Sequence, residues 1–329
     1  MDLKQLTYFE RVAELGSFTK ASQALGIAQP ALSRQVRALE VELRQTLLLR
    51  NGRGAVLTEA GELLLEHTRG ILYQVERARQ ALTGARDTLS GRVVLGMPPS
   101  VARSVAIPLL RAFKTHLPHA QLRITEGLSK AMQAQLLDGQ IDVALLYNAS
   151  PEQTLDVDVQ LLCTEALVLV QAKHGPDTTL GDAAARVDAA TQGDAATLDH
   201  TPIDLPALSQ MPLLIPSRPN ALRVQLEAAL MAEGLTPTIA LEVDGVNAII
   251  DLVADGAGAA VLAMHAVTSS GKAHAFTTRP VHAGGARGQN GRPMTVSLHL
   301  AISNSRATTP TQQAAMVVLR EVVQAVLAG

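Results

Sequence analysis

The 329-residue sequence contains no tryptophan, and aromatic residues make up only 2% of it. Aliphatic side chains must therefore fill any core, and a site built on aromatic stacking is not expected. There is one cysteine, Cys163, so no disulfide can close within the chain. Its context, "VQLLCTEALVLV", reads as that of a small buried hydrophobe, with a redox sensor or nucleophile as the alternative. An oxidising compartment is not indicated. The opening stretch "MDLKQLTYFERVAE" is charged throughout and lacks the apolar centre of a secretory signal. No apolar run reaches the roughly 18 residues of a membrane span. A cytoplasmic location without membrane association is the expectation. Charge of one sign is also scarce: the net charge is −2. Met1–Ala60 carries eight Lys and Arg against six Asp and Glu, 8 − 6 = +2, which leaves −4 for the remainder. An N-terminal contact with nucleic acid would thus rest on placed charges rather than on a broadly basic surface. Hydrophobic residues at 47% and charged residues at 18% exclude a disordered chain, and the length points to two or three domains.

The first 60 residues alternate between helical periodicity and turn signals. Leu6, Phe9, Val12 and Ala13 share one face of a helix over Leu3–Leu15. Ser17 is placed to cap a short second helix that Gly26 ends by adopting a positive φ. A third helix over about Gln29–Leu43 turns Leu32, Val36, Leu39 and Leu43 inward. Its outer side presents Gln29, Pro30, Ser33, Arg34 and Arg37, with Pro30 tolerated in the first turn. Asn51-Gly52 then predicts a tight turn between two short strands, flanked by Arg50 and Arg53. Thr58 caps a long helix reaching about Asp87, with Gly61, Gly70 and Gly84 weighing against it. Leu64, Ile71, Val75, Ala78 and Leu82 form a narrow stripe along it. A helix that long with one apolar seam needs a partner, most simply its own copy.

"TLSG" at 88–91 reads as a hinge. Beyond it, "RVVLGM", "IDVALLYN", "ALVLVQA", "PLLIP", "TIALEV", "AAVLA" and "VSLHLAIS" are short apolar runs separated by helical patterns. They predict α/β units with largely parallel sheets. Two stretches, "GPDTTLGDAAARVDAATQGDAATLDHTPIDLPAL" and "HAGGARGQNGRP", read as surface insertions, and Thr311–Leu327 as a final helix.

A helix, a glycine turn and a second helix with a polar outer face form the helix-turn-helix pattern. The outer face can lie in a major groove, where Arg bonds guanine, Gln pairs with adenine, and Ser serves a base or a phosphate. Arg50 and Arg53 would touch the flanking backbone as a wing. Polar residues on an exposed helix face are also explained by simple solvation, so periodicity alone leaves both readings open.

The segment from Leu3 to about Gly91 resembles the N-terminal part of LysR-type transcriptional regulators. The resemblance is carried by "LKQLTYFERVAELGSFTKASQALGIAQPALSRQVRALEVEL", by Arg50, and by "LTEAG" at Leu57–Gly61. It implies DNA contacts at Ser17, Thr19, Gln29, Pro30, Ser33, Arg34, Arg37, Arg50 and Arg53. The sequence departs from the family at Arg44 and Leu48, where Gly and Phe are usual, and at Ala28, where a Ser cap is common. The stretches "GRGAVLTEAGELLLEHTRGIL" and "GMPPSVAR" resemble the nitrogen assimilation control subgroup. The implied fold is α+β: a winged helix-turn-helix at 1–58, a linker and dimerisation helix at 59–87, a hinge at 88–91, and a two-lobed effector domain at 92–329, similar to periplasmic binding proteins. Lobe one is expected at 92–164 and 269–329, and lobe two at 165–268, with two strands crossing between them.

Ligands of such folds sit outside strand ends at helix N-termini. Ser100, Ser129, Ser217 and Arg218 lie at strand-to-helix junctions, and Asn148 and Asn247 near strand ends. Each is equally explained as an ordinary helix cap; their convergence and the resemblance make them effector candidates. No catalytic constellation and no metal-ligand spacing appears: the nine His are scattered, and HExxH and GxSxG are absent. No cofactor and no enzymatic activity is expected. The expected function is a DNA-binding regulator controlled by a small, anionic metabolite. The expected partners are duplex operator DNA and further copies of the chain, as a homodimer or homotetramer, and the resemblance leaves room for RNA polymerase. The alternatives are a solute-binding protein or enzyme reusing the two-lobed fold, and a constitutive regulator without effector.

Overall fold

The computed structural model describes residues 1–51, 54–83, 89–150, 156–173, 196–284 and 291–327. The chain divides into two compact units, Met1–Thr88 with Leu137–Gln140, and Leu89–Leu136 with Ile141–Gly329.

In the first unit, helix α1 (Leu3–Leu15) begins at a capping box in which Asp2 accepts from the Gln5 backbone and the Gln5 side chain accepts in return. Helices α2 (Phe18–Leu25) and α3 (Gln29–Leu43) follow. Gly26 joins them at φ 64°, where a side chain would be strained. Leu6, Phe9, Ala21, Leu32, Val36 and Leu39 are buried together, so the three helices share one core. Two departures at α3 have physical consequences. Ala28 stands at its N-cap without a side-chain bond. Arg44 ends it at φ 53°, and the closing bond from the Gln45 N–H to the Glu40 carbonyl still forms at 3.0 Å. The helix thus ends as a glycine would end it, with the cost of a left-handed side-chain-bearing residue.

Strands β1 (Leu48–Asn51) and β2 (Gly54–Leu57) pair antiparallel with Asn51 opposite Gly54. Gly52 of the predicted turn and the flanking Arg53 lie outside the described residues. Helix α4 (Glu59–Thr83) starts at Thr58, whose hydroxyl accepts from the Gly61 N–H at 3.0 Å. Gly61, counted against this helix on propensity, is required by packing: a Cβ there would stand 2.1 Å from the Leu47 carbonyl oxygen. Residues 84–87, expected as the end of the helix, lie outside the described ones.

The second unit contains two sheets that share one long strand. Strand β3 (Ser90–Met97) already includes half of the expected hinge. It runs parallel to β4 (His119–Glu126) and β5 (Val143–Tyr147). Strand β6 (Val157–Ala172) pairs along its first part with β14 (Thr295–Ser303), which also pairs with β5. Along its second part β6 pairs with β11 (Ala260–Ala263) and β12 (Phe276–Ala283). These contacts of β6 and β14 are all antiparallel, so the expectation of largely parallel sheets is corrected: parallel pairing is confined mainly to β3–β4–β5 and to β9 (Leu213–Ile215) with β10 (Ile239–Glu242). The expected lobe boundary at 269 is corrected too, because β12 belongs to the sheet of the second lobe.

Helices α5 (Pro99–His116), α6 (Ser129–Leu137) and α11 (Pro310–Leu327) accompany the first sheet. Helices α8 (Ala221–Ala232), α9 (Val246–Ala254) and α10 (Met264–Thr268) accompany the second. The tail of the first expected insertion is folded: β7 (Thr197–Leu198) and β8 (Ile203–Asp204) pair with β12, and α7 (Leu205–Ser209) buries Leu205 and Leu208. In the second, β13 (Arg292–Pro293) pairs with His282 and Ala283.

Candidate nucleic-acid interface and effector cleft

The buried leucines of α3 fix which of its sides faces out. Gln29, Pro30, Arg34 and Arg37 are exposed and Ser33 is half-buried. Thr19 is exposed on α2, whereas the Ser17 hydroxyl is occupied as the α2 cap, accepting from the Lys20 N–H at 3.3 Å. Arg50, on β1, reaches across to α3: its Nη2 donates to Ser33 Oγ at 2.5 Å, and its guanidinium lies 4.1 Å from the Phe18 ring centre. Between α3 and β1 runs a groove of about 720 Å³ lined by Phe18, Ser33, Arg34, Arg37, Glu40 and Arg50, among others. The Glu40 carboxylate is engaged by the N–H groups of Leu47 (2.9 Å) and Leu48 (3.2 Å). The groove's other charged groups are three guanidiniums, Arg34, Arg37 and Arg50, set among apolar side chains, a chemistry suited to phosphate. Arg53 lies outside the described residues.

On α4, Leu64 is half-buried against the helix-turn-helix core, Val75 is half-buried and Ala78 is exposed. Ile71 is 37% exposed and Leu63, about two turns earlier on the helix, 59%. The Leu82 side chain lies outside the described ones.

The six effector candidates fall in the second unit, and most are already bonded. Ser129 Oγ accepts from the Tyr147 N–H at 3.0 Å. Ser100 Oγ is 3.1 Å from the Tyr147 hydroxyl. Asn148, at φ 50°, accepts from the Ser297 N–H at 3.0 Å and donates to Gln225 on α8 at 2.9 Å. Ser217 donates its N–H to Asp244 at 3.2 Å, while Asn220 caps α8. Arg218 is paired with Glu227 at 2.7 Å. Asn247 accepts from Arg103 of α5, whose other N–H groups bond the carbonyls of Ser269 (3.0 Å) and Ser270 (2.6 Å).

Residues 3–62 match the bacterial regulatory helix-turn-helix protein of the lysR family, and residues 86–324 match the LysR substrate binding domain. The second match alone spans more than half of the chain. The chain belongs to the LysR family. It is 33% identical over 325 residues to the nitrogen assimilation regulatory protein nac of Klebsiella aerogenes, covering 98% of this chain and 95% of that protein. The nac protein of Escherichia coli (strain K12) is 33% identical over 270 residues, with coverages of 82% and 80%. The crystal structure of CbnR, a LysR family transcriptional regulator, is similar in fold, with a TM-score of 0.63 at 22% identity over 98% of this chain and 99% of that one. The full-length CbnR complexed with its target DNA gives 0.64 at 23% identity over 98% and 100%.

This LysR-type chain is thus a DNA-binding transcriptional regulator and not an enzyme. No helix of the described residues is long and apolar enough to cross a membrane. The described His, Cys, Asp and Glu residues form no group of three that could hold a metal.

Sequence reasoning missed a buried polar cluster among the described residues of the regulator. His265 Nδ1 lies 2.7 Å from Glu165 Oε2, and His265 Nε2 lies 3.3 Å from the Tyr147 hydroxyl, which continues to Ser100. The cluster ties β5 and α5 of the first lobe, through the crossing strand β6, to α10 of the second. Burial pushes the Tyr147 phenol well above its ordinary value, despite the Ser100 bond, and keeps it neutral. Burial, with Glu165 adding, raises the Cys163 thiol to about 11, so this cysteine is a thiol rather than a thiolate at neutral pH. The signal in the sequence was a glutamate inside the apolar run "CTEALVLV": a buried carboxylate demands a partner. Arg103 and Gln225 gave no such signal, since exposed helix residues are ordinarily solvated.

Proposed function

We propose that this regulator binds operator DNA as an oligomer and is controlled by a small anionic metabolite in the cleft between its two effector lobes. The observation that carries the DNA half is the exposed set Gln29, Pro30, Arg34 and Arg37 at the start of α3, beside the arginine-lined groove. That set suits insertion of α3 into a major groove, with Ser17, Thr19, Ser33, Arg50 and Arg53 around it. The 25-residue α4, about 37 Å long, leaves Leu63 and Ile71 exposed, which a second copy would cover. We place the dimer seam along Leu64, Ile71, Val75, Ala78 and Leu82, with two half-sites about one helical turn apart and a homotetramer formed by further contacts between effector domains. Such a protein works where the chromosome is, in the cytoplasm, and meets RNA polymerase at any promoter it activates.

The effector half rests on the starts of α5 and α6. Helix α5 has no side-chain cap, and Ser100 and Ser129 stand at the two helix starts. The partial positive charge of a helix start favours a carboxylate, phosphate or sulfate. Ser217, Arg218, Asn148 and Asn247 would face it only after their present bonds are exchanged. Genome-wide footprinting tests the first half, and the bound promoters point to the effector. For the second, a panel of anionic metabolites should raise the melting temperature, and Ser100→Ala should abolish the response while operator affinity stays nearly intact.

A second reading has its own support. Arg103–Asn247, Asn148–Gln225 and Tyr147–His265 join the lobes through the chain's own side chains. The relatives named above are nitrogen assimilation regulatory proteins, and a constitutive regulator without effector fits these bonds. No thermal shift from any panel member, with normal regulation by Ser100→Ala, would favour this reading and leave DNA binding untouched.

A further inference from the structure

The groove beside α3 holds one contact whose consequence for base reading goes beyond the presence of a wing. Arg50 is exposed, yet two partners fix its guanidinium: the face of Phe18, at the first position of α2, and the Ser33 hydroxyl on α3. The Phe18 ring is itself buried in the helix-turn-helix core, so the platform is rigid. An aromatic face carries negative potential and holds a cation flat against it. The plane of the guanidinium and the direction of its N–H bonds are then set, and one of them points at Ser33 Oγ.

A serine hydroxyl has one hydrogen to donate and lone pairs to accept with. When a cationic N–H occupies the oxygen, the positive charge beside it repels any second donor and polarises the remaining O–H. Ser33 is thereby restricted to donating. In the major groove guanine offers N7 and O6, thymine offers O4 and adenine offers N7 as acceptors, whereas cytosine presents only its amino donor. We propose that Arg50 is a positioning residue that makes Ser33 a one-way donor, so that the base pair read by Ser33 excludes cytosine on the contacted strand. The proposal rests on α3 being the base-reading helix. A phosphate-binding role for Arg50 is the rival, and the two differ in what each substitution changes.

The test uses the full-length protein and an operator selected from a random duplex pool. Affinities are measured for operators altered at each base pair, between 50 and 200 mM salt, for the wild type, Ser33→Ala, Arg50→Lys, Arg50→Met and Ser33→Ala/Arg50→Lys. Lysine keeps the charge but cannot lie flat on Phe18 while presenting an N–H to Ser33. Ser33→Ala should admit cytosine at one base pair, with discrimination falling about five- to tenfold. Arg50→Lys and Arg50→Met should lose discrimination at that same pair. The double variant should match Ser33→Ala alone. Arg50 is exposed, so equal melting temperatures serve as the folding control. Retained discrimination in Arg50→Lys would overturn the proposal. So would a drop of about 0.9 per protomer in the salt slope for Arg50→Met with base preference intact, the mark of a phosphate contact. No base preference lost in Ser33→Ala overturns it as well. Failure of the wild type to select any operator would instead sink the reading of α3 itself, and this proposal with it.

Discussion

Replacing His265 by leucine should destabilise the effector domain more than any ordinary core change of that size. His265 and Glu165 are both more than nine-tenths buried. Glu165 Oε2 has the 2.7 Å contact with the imidazole and a long one, 3.4 Å, with the His265 backbone N–H. Its other oxygen, Oε1, has no hydrogen-bond partner. Removing the imidazole therefore leaves a buried carboxylate with one weak bond, and a buried charge stripped of its partner costs about 3–5 kcal/mol. Glu165→Leu should cost less, about 1–3 kcal/mol, because it strands a neutral ring nitrogen rather than a charge. In the double variant Glu165→Leu/His265→Leu the stranded charge is gone, and Tyr147 keeps its contact with Ser100 at 3.1 Å. The double variant should thus be more stable than His265→Leu alone, a non-additivity that only a direct pair produces. Thermal unfolding followed by far-UV circular dichroism would show His265→Leu lower by about 6–20 °C for a domain of this size. A drop under about 2 °C, or a double variant that falls by the sum of the singles, would refute the reasoning.

Other expectations follow from single contacts. Burial pulls the Glu227 carboxyl up, but bonds from Arg223 and Arg218 outweigh it and hold it below its ordinary value; a bond from Arg223 also lowers Glu242. A depressed carboxyl stabilises the fold above its unfolded pKa of about 4.3 and loses that contribution as pH falls through the folded value. Melting temperature should therefore decline below about pH 4.5, and Arg223→Met should flatten that decline while lowering stability at pH 7; an unchanged acid limb would contradict it. Gly61→Ala must move the Leu47 carbonyl, 2.1 Å from the new Cβ, and should cost about 1–3 kcal/mol of the helix-turn-helix unit and weaken operator binding; a neutral variant would show the approach is looser than described. Arg44→Gly should stabilise that unit by about 1 kcal/mol, since glycine takes φ 53° without strain; any accompanying loss of operator affinity would mark Arg44 as a phosphate contact. Ile71→Glu should give monomers in analytical ultracentrifugation if α4 is the dimer seam, and an unaltered oligomer would remove it from that role.

The DNA-binding unit was legible because its signals are local. Ser17, Gly26 and the spacing Leu32, Val36, Leu39 each act within a few residues, and the three helices begin and end where those signals place them. Gly61 was misjudged for the complementary reason: propensity sees a poor helix former, while the Leu47 carbonyl it accommodates lies 14 residues away. In the effector half, apolar runs disclosed β3, β5, β6, β9, β10, β11 and β14 but not their directions, since a buried strand reads the same in either sense. The strands β4 and β12 were missed: in "HAQLRITE" and "FTTRPVHA" polar residues interrupt the run. The pairing of Glu165 with His265 spans 100 residues, and no periodicity connects them.

What those long-range contacts imply for control is a limit on how strongly any effector can act. A ligand shifts a two-state element only by the difference in its affinity for the two states. Here the chain's own side chains join the lobes through Arg103 to Asn247, Ser269 and Ser270, and through Asn148 to Gln225. A ligand that bridged the lobes at the same atoms would replace these bonds rather than add to them, and would change little. An effector that acts must use groups the closed arrangement leaves over, or must break the latch. The uncapped start of α5 beside Ser100 is such a leftover, and Ser100 is also where the Tyr147–His265–Glu165 chain ends. An anion accepting from the Ser100 hydroxyl alters its contact with the Tyr147 hydroxyl, and so acts on the contact between Tyr147 and His265. The effect reaches the second lobe through one buried bond, which sets the coupling at the order of a single hydrogen bond, about 1 kcal/mol, unless the latch opens as well.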